Sequence, residues 1–316
     1  MRLLRLSMIG TLMVVIAVST LALALILDLV GAFSVTTLLA LTAVFNLAQW
    51  LLAPYVVESI YKVRELGEYE YPWLHEALER LSAKSGIRKP KLMISDMDVP
   101  NAFAYGSPLT GNRVAVTRGL LELLDRDEVE AVIGHEIGHL RHRDVQIMTF
   151  LSLLPSLFYL LGRTLMYSAY YEGRREERGG GLLLLGVGSM IVYFVLSLLV
   201  LHFSRLREYY ADYHSVMVAP DRRRGAYRLM EALAKIVDYT SRMKAKGRLT
   251  TTGFRELLII DPETSIRAAS ELKGDRGLVE RVLRKEVTWA DSLLELFSTH
   301  PNIVKRLKAL EELARG

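Results

Sequence analysis

The sequence predicts a mainly α membrane protein in which four transmembrane helices carry a cytoplasmic α+β domain with a small β-sheet. Three observations predict it. Of 316 residues, 51% are hydrophobic and only 24% charged, and the mean hydropathy is +0.22, too apolar for an ordinary soluble chain of this length. The apolar residues gather into four runs separated by text of globular composition. Within that globular text stands His135-Glu136-Ile137-Gly138-His139, two histidines at i, i+4 with a glutamate beside the first.

Residues 1–57 read as a transmembrane hairpin, with runs from about 8 to 30 and from about 35 to 57, each long enough for a hydrocarbon core of about 30 Å. A cleavable signal peptide competes for the first run, but no clear small-residue cleavage site ends it and a second span follows at once. Arg2 and Arg5 precede the first span, whereas the connection from Asp28 to Thr37 has neither Lys nor Arg, so the N-terminus is expected in the cytoplasm.

Residues 58–144 read as the first part of a cytoplasmic globular domain. Trp73, Leu74, Ala77, Leu78 and Leu81 keep helical spacing up to a stop near Gly86. Short strands follow at Lys91–Ser95, Asn101–Tyr105 and Arg113–Thr117, bounded by Pro100, Gly106, Pro108 and Gly111, as in a small antiparallel or mixed sheet. A helix then carries the histidine pair. Asp127 and Glu128 suit its N-terminus, and Val129, Val132, Ile133, Ile137 and Leu140 supply its apolar stripe.

Residues 145–203 hold the third and fourth spans, about 145–161 and 181–203, joined by a short external loop. The third is the shortest and contains Pro155, with Arg163 near its end, so kinked, tilted and partly re-entrant forms remain open beside a full crossing. Arg174, Arg175 and Arg178 in the external loop run against the positive-inside tendency, although Glu172, Glu176 and Glu177 accompany them. Residues 204–316 return to globular text: a helix from Pro220 through Arg242, a Lys/Gly/Thr-rich loop at about Lys244 to Gly253, and a last helix after Pro301. Both termini fall on the cytoplasmic side.

Composition narrows the function. The net charge of +5 is spread without a basic run interleaved with exposed aromatics, which argues against nucleic acid as a partner. With no Cys there are no disulfides and no thiolate metal ligands. Apart from Arg163 the spans hold almost no ionisable groups, which argues against a transporter or channel.

The chemistry therefore rests on the histidine pair. One turn apart on a helix, His135 and His139 can reach a single tetrahedral Zn2+, one per chain, while Glu136 points beside the metal toward its open position as a general base. A catalytic zinc needs a third protein ligand. His142 lies about 4.5 Å further along the same helix than His139 and is out of reach. The metzincin continuation is absent, since it needs Gly where His142 stands and His where Val145 stands.

Glu208 is the better candidate, with Asp212 one turn on, so that Glu208 binds the metal while Asp212 fixes the outer N–H of a ligand histidine. The competing reading is an exposed juxtamembrane helix in which both acids merely offset Arg205 and Arg207. Topology supports the first, because His139 and Glu208 flank the last two spans, and an even number of crossings returns both to one membrane face. Tyr209 and Tyr210 read as interfacial anchors.

The order His135-Glu136-x-x-His139, Ser204-Arg205-x-Arg207-Glu208-Tyr209-x-Ala211-Asp212, Asn101-Ala102-Phe103-Ala104 and Thr299-His300-Pro301, interleaved with four spans, resembles the HtpX family of membrane zinc metalloproteases over nearly the whole chain. It is more distantly similar to the CAAX prenyl endopeptidases. The resemblance implies a gluzincin-type metalloprotease domain with His135, His139 and Glu208 as zinc ligands, Glu136 as general base and Asp212 behind a ligand. It also implies cleavage of misfolded or damaged membrane proteins at the cytoplasmic face of the cell membrane, as part of protein quality control and stress response.

Two softer sites combine that likeness with chemistry. Asn101, Ala102, Phe103 and Ala104 could receive a substrate peptide by strand addition, or be an ordinary sheet strand. His300 could donate to the developing oxyanion, or simply precede a helix. Two other functions stay open: a non-proteolytic membrane chaperone or scaffold that keeps a metal, against which the intact Glu136 argues, and a prenyl-peptide protease, which would need a large apolar chamber. The expected partners are polypeptide substrates, membrane proteins among them, and the lipid bilayer; an oligomer is compatible with the sequence.

Overall fold

The structure, a computed structural model, describes residues 35–172, 179–246 and 277–315. The first apolar run, the middle of the external loop and most of the Lys/Gly/Thr-rich loop lie outside the described residues.

Four strands, β1 (Val63–Glu65), β2 (Lys91–Ser95), β3 (Ala102–Ser107) and β4 (Gly111–Thr117), form one mixed sheet in the order β1-β2-β4-β3. The central pair is parallel, with Leu92 opposite Val114 and Ile94 opposite Val116, while β3 runs antiparallel to β4 with Ala104 opposite Val114. Short runs bounded by proline and glycine mark three of these strands in the sequence; β1, three residues long, is too short to stand out.

Because successive side chains leave opposite faces of a strand, the sheet has two apolar surfaces. Leu92, Ile94, Val114 and Val116 are buried in the main core, while Met93, Phe103, Tyr105 and Ala115 pack against Tyr61 and Val57 at the end of α1 (Val35–Ile60). The main core joins that first face to α2 (Pro72–Lys84), through Leu74, Leu78 and Leu81, and to α4 (Arg126–Arg141), through Val129, Val132, Ile133 and Ile137. Helix α3 (Arg118–Leu123) links β4 to α4, and α7 (Arg222–Ala245), α8 (Leu278–Leu283) and α10 (Ile303–Arg315) close the outside with Leu229, Leu233, Val282, Leu307 and Leu310. Helix α2 stops where expected: Gly86 takes φ +64°, and the N–H groups of Gly86 and Ile87 cap the carbonyls of Ala83 and Ser82, each at 3.1 Å.

The second and third predicted spans fall in α1 and α5 (Asp144–Glu172), and α5 continues as a helix through Pro155. The fourth falls in α6 (Gly179–Val218). Among the described residues one helix, Gly180–Val218, is long and apolar enough to cross a membrane. Helices α5 and α6 form an antiparallel pair in which the backbones nearly touch: a Cβ built on Gly162 would lie 2.9 Å from the Gly186 carbonyl oxygen. The apolar length of α6 is largely exposed on its outer side, and the helix then runs without a break into the globular unit, so the candidate span and one wall of the metal site are a single element.

Candidate metal centre

Helix α4 is nucleated by a capping box: Asp125 accepts from the Glu128 N–H at 2.9 Å, and the Glu128 carboxylate accepts from the Asp125 N–H at 2.8 Å. One face of the helix carries His135 and His139; another carries Gly134 and Gly138. A Cβ on Gly138 would lie 3.0 Å from the Ala211 Cα, and one on Gly134 would lie 3.0 Å from Ser215 Oγ. The missing side chains let α6 lie almost backbone to backbone on α4, which brings Glu208 and Asp212 to the histidines.

There the side chains converge. His135 Nε2 and His139 Nε2 are 3.2 Å apart, and Glu208 reaches both, with Oε2 at 3.8 Å from the first and Oε1 at 3.6 Å from the second. Among the described residues, His135, His139 and Glu208 form the group whose ligand atoms, within 4.8 Å of one another, could hold a metal ion. Each histidine turns its other nitrogen to a carboxylate: His135 Nδ1 lies 2.8 Å from Asp212 Oδ1, and His139 Nδ1 lies 2.6 Å from Asp144 Oδ2. Of the two histidines, Asp212 lies behind His135.

Glu136 is buried next to the pair, and its Oε2 accepts the Ala104 N–H at 2.8 Å. Of the segment Asn101–Ala104, Ala104 is the residue that touches the site. The Asn101 backbone is tied to Thr117 on the β4 side, Ala102 is buried in the main core and Phe103 in the cluster around Tyr61. His300, on the turn before α10, lies with Nδ1 2.5 Å from Glu208 Oε2. His142 is exposed and faces the His214 ring at 5.7 Å, away from the group, as its position on the helix requires.

Three partners escape the sequence reading. Asp144 opens α5 just after Arg143, whose φ of 55° reverses the chain, so no helical spacing relates Asp144 to His139. Arg207 Nε lies 2.9 Å from Asp144 Oδ2. Arg306, fully buried on α10, sends Nε to Asp212 Oδ2 at 2.8 Å, Nη2 to Asp212 Oδ1 at 2.6 Å and Nη1 to Glu208 Oε2 at 3.3 Å. Helical periodicity marks Arg306 as one more charge on a terminal helix; only the tertiary fold shows it facing inward.

The electrostatics follow from burial and these partners. Burial pushes His135 and His139 below the usual imidazole value, so both rings are neutral and free to donate a lone pair. Burial, reinforced by the nearby Glu208 charge, pushes the Glu136 carboxyl well above its ordinary range, which gives it high proton affinity. Burial works against the Arg306 charge, but Asp212 and Glu208 outweigh it and its pKa is raised. Glu208, Asp212 and Asp144 face Arg306 and Arg207, leaving an excess of negative charge that favours a cation between the rings.

Residues 68–314 match the model of peptidase family M48. A protein of Aeropyrum pernix named Protease HtpX homolog is 41% identical over 98% of this chain and 96% of its own length. One of the same name from Thermoplasma acidophilum is 37% identical over 90% of this chain and 87% of its own. The crystal structure of S. mikatae Ste24p shares the fold, with a TM-score of 0.56 at 19% identity; it matches 95% of this chain, which spans 64% of that structure's length.

Proposed function

This chain belongs to peptidase family M48 and is a membrane metalloprotease, and we propose that it is an integral-membrane zinc endopeptidase that cleaves misfolded or damaged membrane proteins at the cytoplasmic face. In this reading His135, His139 and Glu208 hold one Zn2+ per chain, and four spans place both termini and the protease domain in the cytoplasm.

The observation that carries the reading is the pair of ring nitrogens 3.2 Å apart. With His139 Nδ1 hydrogen-bonded to Asp144 and His135 Nδ1 facing Asp212 at 2.8 Å, both Nε2 atoms are lone-pair donors in this reading, and two such atoms repel unless a cation lies between them. Two nitrogens about 2.05 Å from one tetrahedral zinc stand about 3.3 Å apart, which the observed spacing matches. Bound there, zinc supplies Lewis acidity toward a peptide carbonyl and lowers the pKa of a water to about 7.

The protein's own residues do the rest. Glu136, held by the Ala104 N–H, takes a proton from the attacking water and returns it to the leaving amine. Asp212 and Asp144 fix the tautomer and tilt of the two rings. His300 turns Nδ1 to Glu208, so in its doubly protonated form it would donate from Nε2 to the oxyanion that develops on the substrate. Strand β3 forms the sheet edge, and alternate backbone groups of an antiparallel strand point away from its partner. The bond from Ala104 to Glu136 shows that this outward set includes Ala104, so its line can receive an extended peptide, with Ala102 and Ala104 small enough for close approach.

The test compares metal content and chelator-sensitive casein cleavage in wild type, Glu136→Gln and Glu208→Ala. Glu136→Gln is expected to retain one zinc and lose cleavage, and Glu208→Ala to lose the zinc. Full activity in the first or full zinc in the second removes the corresponding assignment.

A further inference from the structure

Helix α9 (Trp289–Leu296) is amphipathic the wrong way round for a soluble surface. Of its two acids, Glu295 is buried, where it accepts the Asn302 N–H at 3.2 Å and pairs with Lys305. Its apolar side chains Trp289, Leu293 and Leu296, at i, i+4 and i+7, share an outer face and are exposed, Trp289 to 77% and Leu293 to 49%. Leu294 beside them is exposed too. A capping box between Thr288 and Asp291 makes the helix a defined element rather than a frayed loop.

Its place along α6 says what lies outside it. The Arg205 guanidinium donates to the carbonyls of Glu295 at 2.7 Å, Leu296 at 3.2 Å and Ser298 at 2.7 Å, clamping the C-terminal end of α9. Just beyond, the Phe297 ring stands 6.4 Å from that of Phe194. Phe194 and Arg205 are eleven residues apart on one helix, about 16 Å. The end of α9 therefore lies alongside the last three turns of the apolar length of α6, whose own outer surface continues the patch through Phe194, Val195 and Leu199. An apolar face in continuity with a membrane-crossing surface, led by a Trp, is the composition of a helix lying in the headgroup boundary.

We propose that α9 is an interfacial helix whose Trp289, Leu293 and Leu296 face lies in the lipid bilayer beside α6. The inference rests on the reading that the apolar length of α6, within Gly180–Val218, crosses the membrane. Its consequence is local to the metal centre: the turn that leaves α9 carries Thr299, His300 and Pro301 back to Glu208, so lipid contact helps to set the position of His300.

The chain has no Cys, so single cysteines can be introduced and spin-labelled without background. Four are made in the full-length protein and reconstituted into nanodiscs of phosphatidylcholine and phosphatidylglycerol: Leu293→Cys and Leu296→Cys on α9, Leu184→Cys on α6 and Tyr69→Cys on the globular unit. Leu184 and Tyr69 are 75% and 96% exposed. The readout is the ratio of oxygen to water-soluble nickel collision rates. At Leu293 and Leu296 the ratio is expected to be severalfold above that at Tyr69 and to approach that at Leu184. If Leu184 reads as lipid while both α9 labels match Tyr69, α9 is in water and the proposal fails while the span stands. Labels on α9 that are shielded from both reagents, or broadened by a second copy, assign the face to protein and overturn it. If Leu184 itself reads as water, the span and the proposal fall together.

Discussion

The Asp144 carboxylate stands 2.6 Å from Nδ1 of His139, and the contact exists because the chain turns back between them at Arg143. A helix that ran on past His142 would have carried Asp144 away from His139. The left-handed residue instead starts α5 at Asp144, so the first residue of the next helix supports the second histidine.

Asp144→Asn is accordingly expected to lower zinc affinity about 10–100-fold, the usual effect of removing an outer-shell carboxylate, with the fold intact. Asp212→Asn is expected to do the same on the His135 side, with an added loss of stability because Asp212 also holds Arg306. Competition against a chelator of known affinity measures both. Wild-type affinity in Asp144→Asn would show that His139 needs no such partner.

Arg306 is the buried cation on which Glu208 and Asp212 both lean. Arg306→Met leaves two buried carboxylates without their counter-charge, a loss of about 3–5 kcal/mol for a broken buried pair. At roughly 2–4 °C per kcal/mol for a domain of this size, the metal-free protein should melt about 6–20 °C lower. Arg306→Lys keeps the charge but not the planar fork and should fall between the two. An unchanged melting temperature in Arg306→Met would mean that the carboxylates are neutral or solvated.

What the sequence shows of this site divides along physical lines. His135, Glu136 and His139 are legible because one helix turn fixes their mutual positions, and Glu208 and Asp212 because a second helix repeats the same spacing. The strands around Lys91 and Arg113 show themselves as short runs bounded by proline and glycine. Asp144, Arg207 and Arg306 do not, since each meets its partner through a chain reversal or a tertiary contact that leaves no period in the sequence. Helix α9 is hidden for another reason: eight residues of mixed character give too short a window, and its inverted burial is visible only once α6 is placed beside it. The four apolar runs are plain in composition, but composition gives length, and among the described residues α6 alone meets that measure as a helix.

Gly138 is a steric requirement of the site. A Cβ there would meet the Ala211 Cα at 3.0 Å and the His214 Cβ at 3.1 Å, so a side chain must push α6 away from α4. Gly138→Ala gains up to about 1 kcal/mol of helix propensity against about 1–3 kcal/mol of overpacking and should be mildly destabilising. Gly138→Val adds two methyl groups to the same clash. It should lose zinc even though every ligand remains, because Glu208 moves off with α6; metal content after dialysis reads this directly. Full zinc retention in Gly138→Val would show that the helices are not held at contact distance.

Glu70 tests the acid limb of stability away from the metal. Its carboxylate pairs with Arg64 at 2.8 Å and accepts the Gly67 N–H at 3.0 Å, and Arg64 first, then Gly67, hold its pKa down to about 2. An unfolded Glu titrates near 4.3. The folded state therefore gains from this group above about pH 4.3 and loses that gain as pH falls toward 2. Glu70→Gln should narrow its stability difference from wild type across that window. A difference that stays constant with pH would mean that Arg64 and Gly67 do not favour the charged form of Glu70.

In the proposed mechanism the N–H of Ala104 is the last link, because it holds Glu136 at 2.8 Å without being part of the His135, His139 and Glu208 group. It points away from β4, as its bond to Glu136 shows, so the ladder of β3 with β4 does not use it. Proline is tolerated at such an edge position, and Ala104→Pro removes the donor while leaving the sheet paired. Zinc content should stay at the wild-type level, since His135, His139 and Glu208 are unaffected. The maximal rate should fall by roughly 10-fold or more, as Glu136 is no longer held in line for the proton, yet by less than in Glu136→Gln, where the base itself is gone at about 10²–10⁴-fold. A rise in KM alongside would report the same N–H lost to an incoming substrate strand, and separate measurement of kcat and KM distinguishes the two effects. A variant with full zinc and an unchanged kcat would mean that Glu136 takes its orientation from elsewhere, and that the sheet edge serves substrate binding alone.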